Sequence, residues 1–236
     1  MEREKIALLL RASKRFIYKA LIAVAISGVF SFFYSRGLLG LLLKKADIKI
    51  YYLSLPEVFL SSIELSIYAG LFFAIPLVIY LAWHEFHSMT GLRPVQGYIF
   101  ILAAIALFYV GSLFCYSIVL PSGIKFLVDY GKGNNIMAMI SMQRFVVFCS
   151  AMIFACSVAF EIPIALLLLS KMGLVRAKTL TKTRRFAILF IAIAAALITP
   201  TPDVYNMALV GVPMYVLYEV GILLMRISEP KHQGVE

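Results

Sequence analysis

The sequence predicts an all-α, polytopic membrane protein with six transmembrane helices, both termini on the cytoplasmic side, and the last two helices short or broken. Three observations carry this. The 236 residues are 62% hydrophobic and only 14% charged, with a mean hydropathy of +0.94, well outside the composition of soluble domains. Several apolar runs are long enough to cross a hydrocarbon core of about 30 Å. Lys and Arg divide 14 to 7 between alternate connecting segments, and the richer set marks the cytoplasmic side. Residues 1–236 read as a single integral membrane domain.

The elements follow in order. Met1 to Arg15 is a basic, amphipathic lead-in suited to lie along the membrane surface or to serve as a plain basic flank. The first span is Phe16 to Tyr34. No small-residue cleavage site follows it, so it reads as an uncleaved anchor. Arg36 to Leu65 forms an external loop, with Leu38 to Leu43 as an interfacial helix. Ser54-Leu55-Pro56-Glu57 is a helix start, with serine as cap and proline and glutamate in the first turn. That helix runs into the second span, Ser66 to Ala82, which contains Pro76.

The third span is Tyr98 to Leu120, closed by Pro121. Lys125 to Arg144 is a second external loop turning at Gly131-Lys132-Gly133-Asn134-Asn135. The fourth span is Phe145 to Leu169, with Glu161 and Pro163 at its centre. The Lys171 to Arg185 loop is the strongest cytoplasmic anchor. The fifth span, Phe186 to Thr199, has 14 residues and covers only about 21 Å as a helix. Pro200-Thr201-Pro202-Asp203 turns the chain into the sixth span, Val204 to Met225, interrupted by Pro213 and Glu219. Two short helices side by side would thin the bilayer or sit recessed from one surface.

Soluble-type chemistry is missing from the pattern. His84-Glu85-Phe86-His87 places its histidines at i and i+3, whereas the helical zinc motif needs i and i+4. No phosphate loop and no nucleophile elbow occur. Cys115, Cys149 and Cys156 lie in apolar runs and match no redox or metal spacing. The chain therefore reads as a non-enzyme without catalytic residues, metal or cofactor. The +10 charge concentrates on the cytoplasmic side and suits anionic lipid headgroups rather than nucleic acid.

What remains is a set of carboxylates in or near the membrane: Glu161, Glu219, Asp203 at the outer turn, and Glu64 at the outer end of span two. An ionisable group at mid-span costs a few kcal/mol on insertion scales. Glu161 and Glu219 either clasp a neighbouring helix of the same chain or meet a partner helix or passing substrate. Glu161 lies ten residues before Lys171, about 15 Å of helix from the cytosolic loop.

Five stretches of the chain resemble one family. They are Phe160-Glu161-Ile162-Pro163-Ile164, Lys171-Met172-Gly173-Leu174, Thr199-Pro200-Thr201-Pro202-Asp203-Val204, Pro213-Met214-Tyr215-Val216-Leu217-Tyr218-Glu219-Val220-Gly221, and Ser54-Leu55-Pro56-Glu57-Val58-Phe59. Together with Phe108-Tyr109-Val110-Gly111, they look like TatC, the multispanning core subunit of the twin-arginine protein translocase. The resemblance runs through nearly the whole chain. It implies a receptor and scaffold that moves folded proteins across the cell (inner) membrane. The implied partners are twin-arginine signal peptides, small single-span subunits of the TatA/TatB type and membrane lipids, within a complex that also contains further copies of the chain.

By position, the resemblance makes Glu161 the intramembrane contact for partners, with Glu219 and Asp203 as the other polar contacts. The family's cytosolic signal-binding acids fall at Arg11 and at Arg93 or Pro94 in this chain. A cation there opposes a diarginine ligand. Glu85, helped by Glu2 or Glu4, is the expected replacement. The alternative reading is a proton-coupled secondary transporter using Glu161. Such transporters often show internal repeats, and none is visible here.

Overall fold

A computed structural model of the chain describes residues 2–46, 50–51, 53–90, 94–132, 139–199 and 203–228. For 2–12, 45–46, 86–90, 94 and 131–132 it describes the backbone alone. The described residues form helices α1 (Glu2–Ala46), α2 (Glu57–Thr90), α3 (Pro94–Phe114), α4 (Leu120–Lys132), α5 (Met142–Phe160), α6 (Ile162–Lys171), α7 (Ala177–Lys182), α8 (Arg184–Ile198) and α9 (Val204–Ser228). Two short strands, β1 (Ile50–Tyr51) and β2 (Ile140–Ser141), pair in parallel, with Ile50 opposite Ile140.

Five segments among the described residues are long and apolar enough to cross a membrane: Ser13–Lys44, Glu57–Glu85, Val95–Tyr130, Met142–Lys171 and Val204–Ser228. The remaining expected span, the fifth, corresponds to α8, whose 15 residues cover about 22 Å.

Several boundaries differ from the sequence expectation. The basic lead-in is no separate surface helix. α1 runs without a break from Glu2 to Ala46, and Leu38 to Leu43 is its last part rather than an interfacial helix. No proline interrupts this stretch, so its helical hydrogen bonds continue past the apolar run. Ser54 contributes its carbonyl, which accepts the Glu57 N–H at 3.2 Å, and the helix proper starts at Glu57.

Pro121 does not close the third span either. A π-helical turn over Cys115–Val119 joins α3 to α4, and the Leu120 N–H donates to the Cys115 carbonyl. Proline has no N–H to return to the preceding turn, and one wide turn absorbs the mismatch. In α9 the expected interruption is likewise absent: Pro213 and Glu219 lie inside one 25-residue helix. A proline removes a single ladder bond, which neighbouring turns of a packed helix tolerate.

The fourth span does break, at Glu161. Pro163 is the second residue of α6 and cannot donate back into α5. The Glu161 N–H turns to the Val158 carbonyl at 3.1 Å, and the ladder restarts with Ala165 donating to Glu161 at 2.9 Å. At its other end α6 stops on Gly173, which takes a left-handed φ of 74°. Leu174 N–H donates back to the Leu169 carbonyl at 3.0 Å, the pattern of a Schellman cap. Lys171 Nζ then donates to the Ser228 carbonyl at 2.8 Å, a cation on the unsatisfied C-terminal end of α9.

Helix association in lipid rests on close packing, because lipid tails are as apolar as leucine. The chain uses small residues accordingly. α1 lies along α2, where a Cβ added to Gly70 would stand 2.5 Å from the Gly28 Cα. Gly111 of α3 faces Ser157 and Phe160 of α5, and Gly221 of α9 faces Pro163 and Leu166 of α6. The core gathers where α3, the π turn, α5 and α9 meet, with Phe108, Val119, Leu120, Val146, Ile222 and Met225 fully buried. Cys115, Cys149 and Cys156 are free thiols buried in this core.

Candidate functional site

Glu161 stands at the one-residue joint between α5 and α6. The break turns its side chain into a cavity of about 380 Å³ bounded by Trp83 of α2, Phe100 and Ala104 of α3, and Ile164 and Leu168 of α6. The walls are otherwise apolar. Its Oε1 is buried and has no hydrogen-bond partner among the described residues. An unmet carboxyl oxygen in such a site costs free energy that a donor on an incoming group would recover. Among the described residues no clasp forms at Oε1.

Glu219 behaves differently. Its Oε2 accepts from Arg184 at 2.7 Å and its Oε1 from the Tyr215 hydroxyl at 3.0 Å. Arg184 begins α8, so the pair ties α8 to α9 and acts as a clasp within the chain. Asp203 caps α9. Its Oδ2 accepts the Asn206 N–H at 2.9 Å and its Oδ1 the Asn206 side-chain amide at 2.9 Å. The three carboxylates thus have separate surroundings.

Glu85, near the end of α2, is already engaged. Lys19 Nζ donates to it at 2.6 Å and Arg15 Nε lies 3.8 Å away. Both cations come from α1, and the Glu85 side chain is only 8% exposed. The side chains of Glu2, Glu4 and Arg11, and all of Arg93, lie outside the described residues.

The residue that sequence reasoning passed over is Glu57. The sequence marks it only as a helix-start residue, yet it is 3% exposed. Its carboxylate accepts from the Leu53 and Ser54 N–H groups, the Ser141 hydroxyl and the Gln143 N–H. Gln143 also donates its side-chain amide to Glu64 at 2.7 Å. The spacing of Glu57 and Glu64, seven residues and so two helical turns, puts both on one face and could have flagged them as a pair. Ser141 and Gln143 lie more than 75 residues away in sequence and carry no pattern that announces the contact.

The comparisons with known proteins fit this architecture. The family model for the Sec-independent protein translocase protein TatC matches residues 8–213. A TatC of Deinococcus radiodurans is 39% identical over 171 residues, covering 71% of this chain and 62% of the relative. A TatC of Akkermansia muciniphila is 37% identical, covering 74% of this chain and 51% of the relative. The chain thus spans only half to two thirds of the length of these relatives. A crystal structure of the twin arginine translocase receptor TatC superposes with a TM-score of 0.81 at 27% identity, covering 92% of this chain and 98% of that one. With an all-helical fold of five to six membrane-crossing helices shared with that structure, and a family match running almost end to end, the chain belongs to the TatC family.

Proposed function

We propose that the chain is the core receptor and scaffold of a twin-arginine-type translocase, moving folded proteins across the cell membrane. It forms one integral membrane domain of six spans, with α8 as the fifth and both termini cytoplasmic. It binds signal peptides and small single-span subunits of the TatA/TatB type, and it assembles with further copies of itself. It acts by binding and positioning, not as an enzyme.

The observation that supports this best is the unmet Glu161 oxygen in its apolar cavity. A single-span helix, or the apolar part of a signal, that carries one hydrogen-bond donor matches the site: apolar walls take the helix surface and Glu161 takes the donor. On the cytosolic side, a signal's arginines reach Glu85 by exchanging with Arg15 and Lys19. Glu219 and Asp203 support the site by holding α8 and α9 in place.

The test combines crosslinking with export. A photoreactive group at Trp83 or Leu168 is expected to capture a single-span subunit or signal peptide, and Glu161→Leu is expected to abolish both capture and export of a folded reporter. Full export by the Glu161→Leu protein sinks the proposal. So does solute uptake by the purified chain alone, which belongs to a transporter. For Glu85, unchanged diarginine-peptide crosslinking in Glu85→Gln removes that residue from the site.

A further inference from the structure

A second cavity, also of about 380 Å³, opens where the start of α8 meets the last turns of α9. Its polar floor holds Arg184, Arg226, Glu219 and Tyr215. Arg184 and Tyr215 already satisfy the Glu219 carboxylate. Arg184 Nε is nevertheless buried without a partner among the described residues. Arg226 gives one N–H to the Thr181 hydroxyl at 2.9 Å, and a guanidinium has five such donors in a planar fork. Two cations against one carboxylate leave the floor one positive charge in excess.

The rim is apolar and points along the membrane. Val212, Val216, Val220 and Leu223 recur at intervals of four, four and three residues, which is one face of α9. They are 60%, 54%, 40% and 56% exposed. This stripe descends α9 one turn at a time and ends beside Arg226. An exposed apolar track leading to a cationic floor at the end of a membrane-crossing helix has the layout of a lipid: chain along the stripe, headgroup at the arginines.

We infer that this cavity binds the phosphodiester of an anionic phospholipid, held by Arg226 and Arg184, with an acyl chain along Val212, Val216, Val220 and Leu223. A phosphodiester with an uncharged headgroup carries one negative charge and matches the excess. A choline headgroup would bring a third cation to a floor whose one carboxylate among the lining residues already accepts from Arg184 and Tyr215. The inference depends on α8 and α9 lying in the membrane, not on the translocase reading, so the two can fail separately.

Native mass spectrometry of the full, delipidated chain tests it, with phosphatidylglycerol and phosphatidylcholine of matched chains as probes. The expected result is a phosphatidylglycerol adduct that survives competition from phosphatidylcholine. It should be roughly tenfold weaker in Arg226→Gln, the scale of one lost charged hydrogen bond. Arg226→Lys, which keeps the charge but not the fork, should fall between. Lys178→Gln removes an exposed cation of the neighbouring helix α7, outside the cavity, and should bind as the wild type does. Equal adducts with both lipids in the wild type overturn the inference, a reading that needs no variant to fold. Equal weakening by Lys178→Gln overturns it in favour of a diffuse basic surface. Displacement of the lipid by millimolar inorganic phosphate would make the cavity a free-phosphate site and equally overturn it.

Discussion

The hydroxyl of Ser141 donates to the carboxylate of Glu57 at 2.5 Å, joining the first turn of α2 to the N-cap of α5 across 84 residues of sequence. The same carboxylate gathers the Leu53 and Ser54 N–H groups beneath it. One acidic side chain therefore ties the segment before α2 to the end of β2 and the start of α5. Backbone donors held this way leave little room for substitution.

Glu57→Ala should lower the thermal midpoint of the detergent-purified chain by several degrees and expose the segment around Ile50 and Ile140 to protease. Glu57→Gln keeps the acceptor oxygen but adds donors facing donors, so it should fall between the wild type and alanine. Indistinguishable midpoints for all three proteins would show that the carboxylate does not organise this end of the molecule.

A second prediction concerns the crossing of α1 and α2. A Cβ on Gly70 would lie 2.5 Å from Gly28 Cα and 2.7 Å from Gly28 N, both backbone atoms that no rotamer change can move. Gly70→Ala should therefore cost about 1–3 kcal/mol, the usual range for forced overpacking. A Cβ on Gly28 meets only the Ser66 carbonyl at 3.9 Å, an ordinary contact. Gly28→Ala should be tolerated. Thermal unfolding of the two variants side by side checks the asymmetry, and equal destabilisation refutes it.

The Arg184–Glu219 pair gives a third. Each side chain is partly exposed, at 43% and 29%, so solvent screens the attraction and the coupling should be modest, about 1 kcal/mol. A double-mutant cycle with Arg184→Gln and Glu219→Gln measures it. The double variant should recover part of the loss seen in either single one, because neither charge is then left alone. Strict additivity would mean that the contact contributes nothing.

These contacts also show where sequence reading reaches and where it stops. Apolar length was enough to find the membrane-crossing segments, since burial in lipid acts on each segment separately. The break beside Glu161 was not foreseen, although Pro163 carries its cause, a missing N–H. Pro121 and Pro213 carried the same local signal and produced no break, because a π turn in one case and packing in the other absorbed the loss. The continuation of α1 past Tyr34 was likewise hidden, as polarity ends an apolar run without ending a helix. For the site, the unusual carboxylates were visible as types. Their partners were not: Arg184 looked like one of six loop cations, Arg15 like the end of the basic flank, and Lys19 like a lone cation at the start of the first span. Only folding brings those charges to Glu219 and Glu85.

Glu161 supports the last prediction, which separates stability from function. Its Oε1 has no partner to lose among the described residues, and its walls are apolar. Replacing an unsatisfied polar group by an apolar one of similar shape is neutral to stabilising. Glu161→Leu should therefore keep or raise the thermal midpoint of the isolated chain, by up to about 1 kcal/mol. A residue serving only as an internal clasp would do the reverse, as Glu219→Gln is expected to do. Export of a folded reporter should change in the opposite sense, falling with Glu161→Leu while the protein itself gains stability. Glu161→Gln, which keeps an acceptor oxygen, should retain part of the export activity. A loss of midpoint in Glu161→Leu comparable to that in Glu219→Gln would identify Glu161 as structural support and leave the cavity without its proposed contact.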